Sequence, residues 1–181
     1  MEDRRRIAIT PARQLPDEAE RITRLLDSGR FTDVHLRHPD ALRREMLRLI
    51  ESVPQRLHNR LHLHGHFDLT CEFNLGGLHL NRRCPTPPEG YTGRLSASCH
   101  SIAEVKRSRD AGLDYVTLSP VFDSLSKPGY RAAFTTRQLM LLDTVTGIDI
   151  VALGGITPDN IRQLTPFNFA GYAMLTAAWN E

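Results

Sequence analysis

The sequence lacks the features that mark membrane, secreted and nucleic-acid-binding chains. No apolar run approaches the roughly 20 residues that cross a bilayer. The amino terminus has no apolar core of the signal-peptide kind, so a cytoplasmic protein is expected. The 3 cysteines, Cys71, Cys84 and Cys99, show no CxxC spacing, which argues for reduced thiols over a disulfide framework. Charge of one sign is also missing: 23 Lys and Arg against 21 Asp and Glu leave a formal net charge of +2. Nothing resembles the basic stripe of a nucleic-acid binder, and Arg4, Arg5 and Arg6 read as a solvated terminal run. Neither a membrane nor a nucleic acid is an expected partner.

What is present is an ordinary globular composition, 40% hydrophobic and 24% charged. The 181 residues favour a single domain over 1–181. Short apolar segments alternate with helical ones. Strands are expected at 6–10, 32–39, 60–65, 76–81, 94–99, 114–122, 149–156 and 169–175. Helices are expected at 16–29, at 40–53 with Asp40 as cap, and at 101–112 with Ser101 and Glu104 in capping-box spacing. Others are expected near 67–73 and 135–143, and at 157–164 with Thr157 as cap and Pro158 in first position. Alternation of this kind implies parallel strands joined by right-handed crossovers. Eight such units imply a closed (β/α)8 TIM barrel, with an open doubly wound sheet as the alternative. The chain is short for a barrel, and the eighth helix, starting at TAAW, is expected to be abbreviated or missing.

In a barrel, chemistry gathers at the carboxyl ends of the strands. Ser124, Ser126 and Lys127 follow strand six in DYVTLSPVFDSLSKPGY. Two hydroxyls and an ammonium group suit phosphate oxygens, although a polar solvated loop accounts for them too. Gly154 and Gly155 end strand seven before an expected helix N-terminus, and Thr176 and Ala177 follow strand eight. Barrels often bind phosphate between these two loops. Arg37 ends strand two beside His35 on one face, and Ser98 ends strand five. A second constellation is histidine. His62, His64 and His66 alternate in LHLHGH and share one face if the strand stays regular, while His79 and His100 end neighbouring strands. Imidazoles suit zinc, iron or nickel. The metal-hydrolase pattern, however, wants its H-x-H on the first strand and an Asp after the last. Hydrogen-bonded polar histidines or substrate contacts are the other reading.

HLR in strand two, GLHLN in strand four, SASCHS in strand five, DYVTLSPVFDSLSK in strand six, VALGGITPDNI in strand seven and AMLTAAW in strand eight together resemble the thiamine phosphate synthase family. A related branch contains thiazole tautomerases. The resemblance implies a TIM barrel that joins hydroxymethylpyrimidine diphosphate to thiazole phosphate with release of pyrophosphate. It implies catalysis by Arg37, Ser98 and Lys127. Pyrophosphate and pyrimidine are assigned to His35, Arg37, His64, Ser98, Ser124, Ser126 and Lys127, and thiazole phosphate to Gly154, Gly155, Thr176 and Ala177. It also implies Mg2+, yet this chain departs from the family there. His35, Arg37 and Pro39 stand for Gln, Arg and Lys; His64-Gly65 stands for Asn-Asp; and the second magnesium Asp falls near Cys84. Asp68 and Glu72 are candidate replacements. Arg82 and Arg83 are the alternative, as a source of the positive charge magnesium would bring. A tautomerase-like isomerase and a non-catalytic barrel that binds a thiamine-pathway phosphate remain as other functions. The tautomerase branch carries His where this chain has Pro120. Association into a homo-oligomer stays open.

Overall fold

The computed structural model describes residues 4–123 and 131–180. Its strands are β1 (Arg5–Ile9), β2 (Asp33–Leu36), β3 (Leu61–Leu63), β4 (Gly77–Leu80), β5 (Leu95–Cys99), β6 (Tyr115–Leu118), β7 (Asp149–Ala152) and β8 (Gly171–Met174). They pair in sequence order and the sheet closes, which is the barrel expected from the alternation. The pairs with a defined register are all parallel. The helices are α1 (Glu18–Asp27), α2 (Arg43–Ser52), α3 (Leu69–Phe73), α4 (Ile102–Asp110), α5 (Thr136–Met140) and α6 (Thr176–Trp179). The last is a single turn, as its few residues required. The chain divides into two compact units, Arg6–Leu95 and Ser96–Glu181 with Met1–Arg5.

In the first unit, helical periodicity sets what is buried. Ile22, Leu25 and Leu26 of α1 and Met46, Leu49 and Ile50 of α2 repeat at three- and four-residue spacing, and all are buried. Full burial of such a side chain contributes about 1.5–3 kcal/mol. Arg60 locks the turn between α1 and β2. Its guanidinium donates to the carbonyls of Leu26, Phe31 and Thr32 at 3.0, 2.6 and 2.6 Å. α2 begins at Arg43, not at Asp40. The Leu42 N–H donates to Glu45 Oε2 at 2.8 Å, while Asp40 accepts from Arg83.

In the second unit, the Ser101 hydroxyl accepts the Glu104 N–H at 3.2 Å and caps α4. The Glu104 carboxylate reaches back to the His100 N–H at 2.5 Å. Strand six stops at Leu118, and a cis peptide bond joins Ser119 to Pro120. The helix expected over 157–164 is a turn followed by a 3-10 helix at Ile161–Leu164. Asn160 Oδ1 accepts the Thr157 N–H at 2.9 Å, the return bond of a capping box, and its Nδ2 donates to Gly155 O at 2.7 Å.

Candidate functional site

Three adjacent strands of the first unit each carry an apolar-His-apolar triplet: Val34-His35-Leu36, Leu61-His62-Leu63 and Leu78-His79-Leu80. His35, His62 and His79 are 0, 0 and 1% exposed. The register sets His35 level with His62, and their rings stack at 4.9 Å. His62 also lies level with Gly77, and a Cβ on that glycine would sit 3.0 Å from the His62 ring and 2.6 Å from Arg94 O. Glycine there makes room for the imidazole. A second layer follows, with His64 just past β3 and His79 in β4 stacked at 4.2 Å. His35 joins the layers: its Nδ1 lies 2.9 Å from His64 Nε2, one nitrogen donating and the other accepting, and its ring centroid is 5.0 Å from that of His79. Buried polar rings persist only with partners, and His62 finds one in Asp33 Oδ1 at 3.2 Å.

Asn81 fixes where the second layer leaves the sheet. Its Nδ2 donates to the carbonyls of His64 and His79 at 2.8 and 3.2 Å. Its Oδ1 accepts the N–H groups of Arg83 and Cys84 at 3.0 and 3.2 Å. Burial, followed by the charge of His62, lowers the His79 pKa to about 3. Burial also pushes His64 well below its ordinary value, helped by His79, Arg37 and His62. Both imidazoles are therefore neutral at neutral pH, each with one donor and one acceptor nitrogen.

The three alternating histidines do not share a face. β3 ends at Leu63, and beyond Gly65 the backbone of His66 turns to φ 51, so its Nε2 donates to Ala41 O at 2.9 Å. Arg37 is half-buried just past β2, with its N–H on Thr10 Oγ1 at 2.7 Å. Arg82 is exposed. Arg83 is also exposed, and it donates to Pro39 O at 2.9 Å and Asp40 at 3.1 Å.

Magnesium does not fit the donor set of the described residues. Mg2+ takes hard oxygen ligands. Asp68 and Glu72, the replacements suggested by sequence, are exposed and paired with Arg43. Asp33 sits at the start of β2, bonded to Thr32 and His62. Among the described residues, the one group of three side chains arranged to hold a metal is His35, His64 and His79, all nitrogen donors.

The second unit offers main-chain geometry in place of side-chain donors. Gly154 and Gly155 have φ of 93° and 66°, a region L side chains rarely adopt. The loop after β6 lies against them. Val121 N–H donates to Leu153 O at 2.9 Å and Phe122 N–H to Gly154 O at 3.0 Å. A Cβ on Gly155 would meet Asp123 O at 2.3 Å. The close approach these glycines permit is therefore to the protein's own backbone. Ser98 is half-buried on β5, level with Thr117. His100 Nδ1 donates to Ser119 O at 2.9 Å. Thr176, exposed, and Ala177, half-buried, open α6. Ser124, Ser126 and Lys127 lie outside the described residues. The structure thus brings His35 and His64 together with His79, which the sequence offered only within the histidine constellation, and with Asn81, which sequence reasoning did not single out. The repeated apolar-His-apolar triplet was the available signal for His79. Asn81 carried none, because its role depends on where two strands end.

The sequence pattern of the family described as thiamine monophosphate synthase matches residues 7–178. A solved structure from Bacteroides thetaiotaomicron, described as thiamine phosphate pyrophosphorylase, superposes with a TM-score of 0.84 at 36% identity, covering 97% of this chain and 85% of that one. The thiamine-phosphate synthase of Halalkalibacterium halodurans is 26% identical over 173 residues, 91% of this chain and 82% of that protein. That of Latilactobacillus sakei is 24% identical over 144 residues, 76% of this chain and 64% of that protein.

Proposed function

Because the chain belongs to the thiamine monophosphate synthase family, we propose that it joins hydroxymethylpyrimidine diphosphate to thiazole phosphate, forming thiamine phosphate and pyrophosphate. The observation that carries this reading is the family match across residues 7–178, supported by a solved relative at 36% identity over 97% of the chain. In the proposed reaction the bond between the pyrimidine methylene carbon and the diphosphate oxygen breaks, and the oxygen keeps the electron pair. The methylene cation is then captured by the thiazole nitrogen, which forms the new C–N bond. The protein's share of such a reaction is to hold the leaving group and position the nucleophile.

We assign the departing diphosphate to Arg37. Its guanidinium stays charged and matches phosphate oxygens with paired donors. His35 and His64 belong to the same set, as strand-end imidazoles bonded to each other at 2.9 Å. Ser98, Ser124, Ser126 and Lys127 complete the diphosphate and pyrimidine set, with Ser98 and Lys127 assigned catalytic roles alongside Arg37. Arg82 and Arg83 contribute positive charge from the loop after β4. Thiazole phosphate is assigned to the Gly154–Gly155 bend and to Thr176 and Ala177. The substrates are small phosphorylated molecules. Among the described residues no helix is long and apolar enough to cross a membrane.

The test is product formation. The folded protein is mixed with both substrates, and thiamine phosphate and pyrophosphate are followed together. Equal amounts of the two products are expected. Tight binding of thiazole phosphate without turnover under any metal condition would replace the transferase reading with the binding-protein one.

A further inference from the structure

We propose that His35, His64 and His79 bind one divalent transition-metal ion of the zinc type, leaving an open coordination position for water or a phosphate oxygen. The inference concerns metal binding alone and holds whether or not the chain turns substrate over. One ligand atom from each of the three histidines lies within 4.8 Å of the others, and His35 Nδ1 lies 2.9 Å from His64 Nε2. Zinc–nitrogen bonds of about 2.0–2.1 Å on a tetrahedron set neighbouring nitrogens about 3.3 Å apart. The cluster therefore closes on an ion by small ring rotations.

The frame around it is already fixed. His35 and His79 sit inside β2 and β4, and Asn81 clamps the carbonyls of His64 and His79. His62, held by Asp33, packs against His35. His64 is partly exposed, so an ion and its fourth ligand have a route in. An all-imidazole set selects zinc, cobalt or nickel over magnesium. Three protein ligands and one vacancy is the arrangement of zinc sites that take an exogenous ligand.

The test uses the whole chain, freed of metal by chelator and titrated with Co2+ while its visible ligand-field absorption is followed. Saturation at one equivalent is expected, with displacement by Zn2+ and none by a large excess of Mg2+. His64→Gln is expected to weaken binding more than about a hundredfold, since removing even an outer-shell partner costs about 10–100-fold. His66→Gln, turned onto Ala41, leaves binding unchanged. Circular dichroism checks that both variants are folded. The wild-type protein supplies a readout that needs no substitution: three hyperfine-shifted imidazole N–H resonances in the cobalt form. Absence of ligand-field bands, fewer than three such resonances, or unaltered affinity in folded His64→Gln would overturn the proposal.

Discussion

In the first unit, polar chemistry at the carboxyl ends of the strands is carried by side chains; in the second, much of it is carried by the main chain. At or just past the ends of β2, β3 and β4 stand His35, His64 and His79, held by one another and by Asn81, and Arg37, with its N–H on Thr10. β7 ends in two glycines at positive φ, against which the chain's own β6 loop is laid. The difference teaches where each region tolerates change. Imidazoles in a buried layer are set by register and by partners. A glycine bend is set by sterics, which no substitution satisfies. Where the family resemblance implies carboxylates for magnesium, the first unit has nitrogen donors. Where it implies a phosphate bend, the second unit keeps the glycines.

The largest expected effect lies in the second unit. Gly155→Val places a branched side chain at φ 66°, with its Cβ 2.3 Å from Asp123 O. Positive-φ strain and the backbone clash together are expected to destabilise the fold by about 3 kcal/mol or more. Urea denaturation reads this directly, and an unchanged midpoint would remove the steric account of the bend.

The next effect separates the two kinds of chemistry. Arg37→Ala is expected to weaken pyrimidine diphosphate about tenfold to a hundredfold, the equivalent of charge-assisted bonds worth about 1.5–3 kcal/mol. Thiazole phosphate affinity stays unchanged. Calorimetric titration of each substrate measures both. Equal losses for the two would show that the division of roles is wrong.

Asn81→Ala is expected to cost about 1–2 kcal/mol, because the backbone groups it serves at the ends of β3 and β4 lose their partner. Thermal melting measures the loss, and the nitrogen resonances of His64 and His79 are expected to shift with it. Arg43→Ala gives the smallest effect. It removes an exposed bridge to Asp68 and Glu72, and exposed pairs contribute little. Its melting temperature should match that of the parent protein, and a clear drop would mean these carboxylates are structurally engaged.

The barrel was legible because each strand segment is apolar and bounded by Gly, Pro or a capping residue. The α-helix expected over 157–164 makes one i→i+4 bond, from Ile161 N–H to Thr157 O, and then tightens into a 3-10 helix. Asp40 turns to Arg83, so α2 starts three residues later, at Arg43. The H-x-H-x-H alternation fails because β3 stops at Leu63, and period-two logic holds only inside a strand. At the site, Arg37, His35 and His64 were legible as strand-end polar residues. The histidine constellation of the sequence held His64 and His79, but their grouping with His35 was not legible, because it is assembled by register between β2, β3 and β4, and a linear sequence does not print register.

The contrast rests on donor chemistry, and equilibrium binding tests it most directly. The same metal-free protein is titrated in parallel with Zn2+ and with Mg2+, without substrate, by calorimetry. The account predicts saturation at one zinc per chain and no saturable magnesium binding. Saturable magnesium binding with no zinc site would contradict it, and would mean that oxygen ligands, not His35, His64 and His79, govern the first unit.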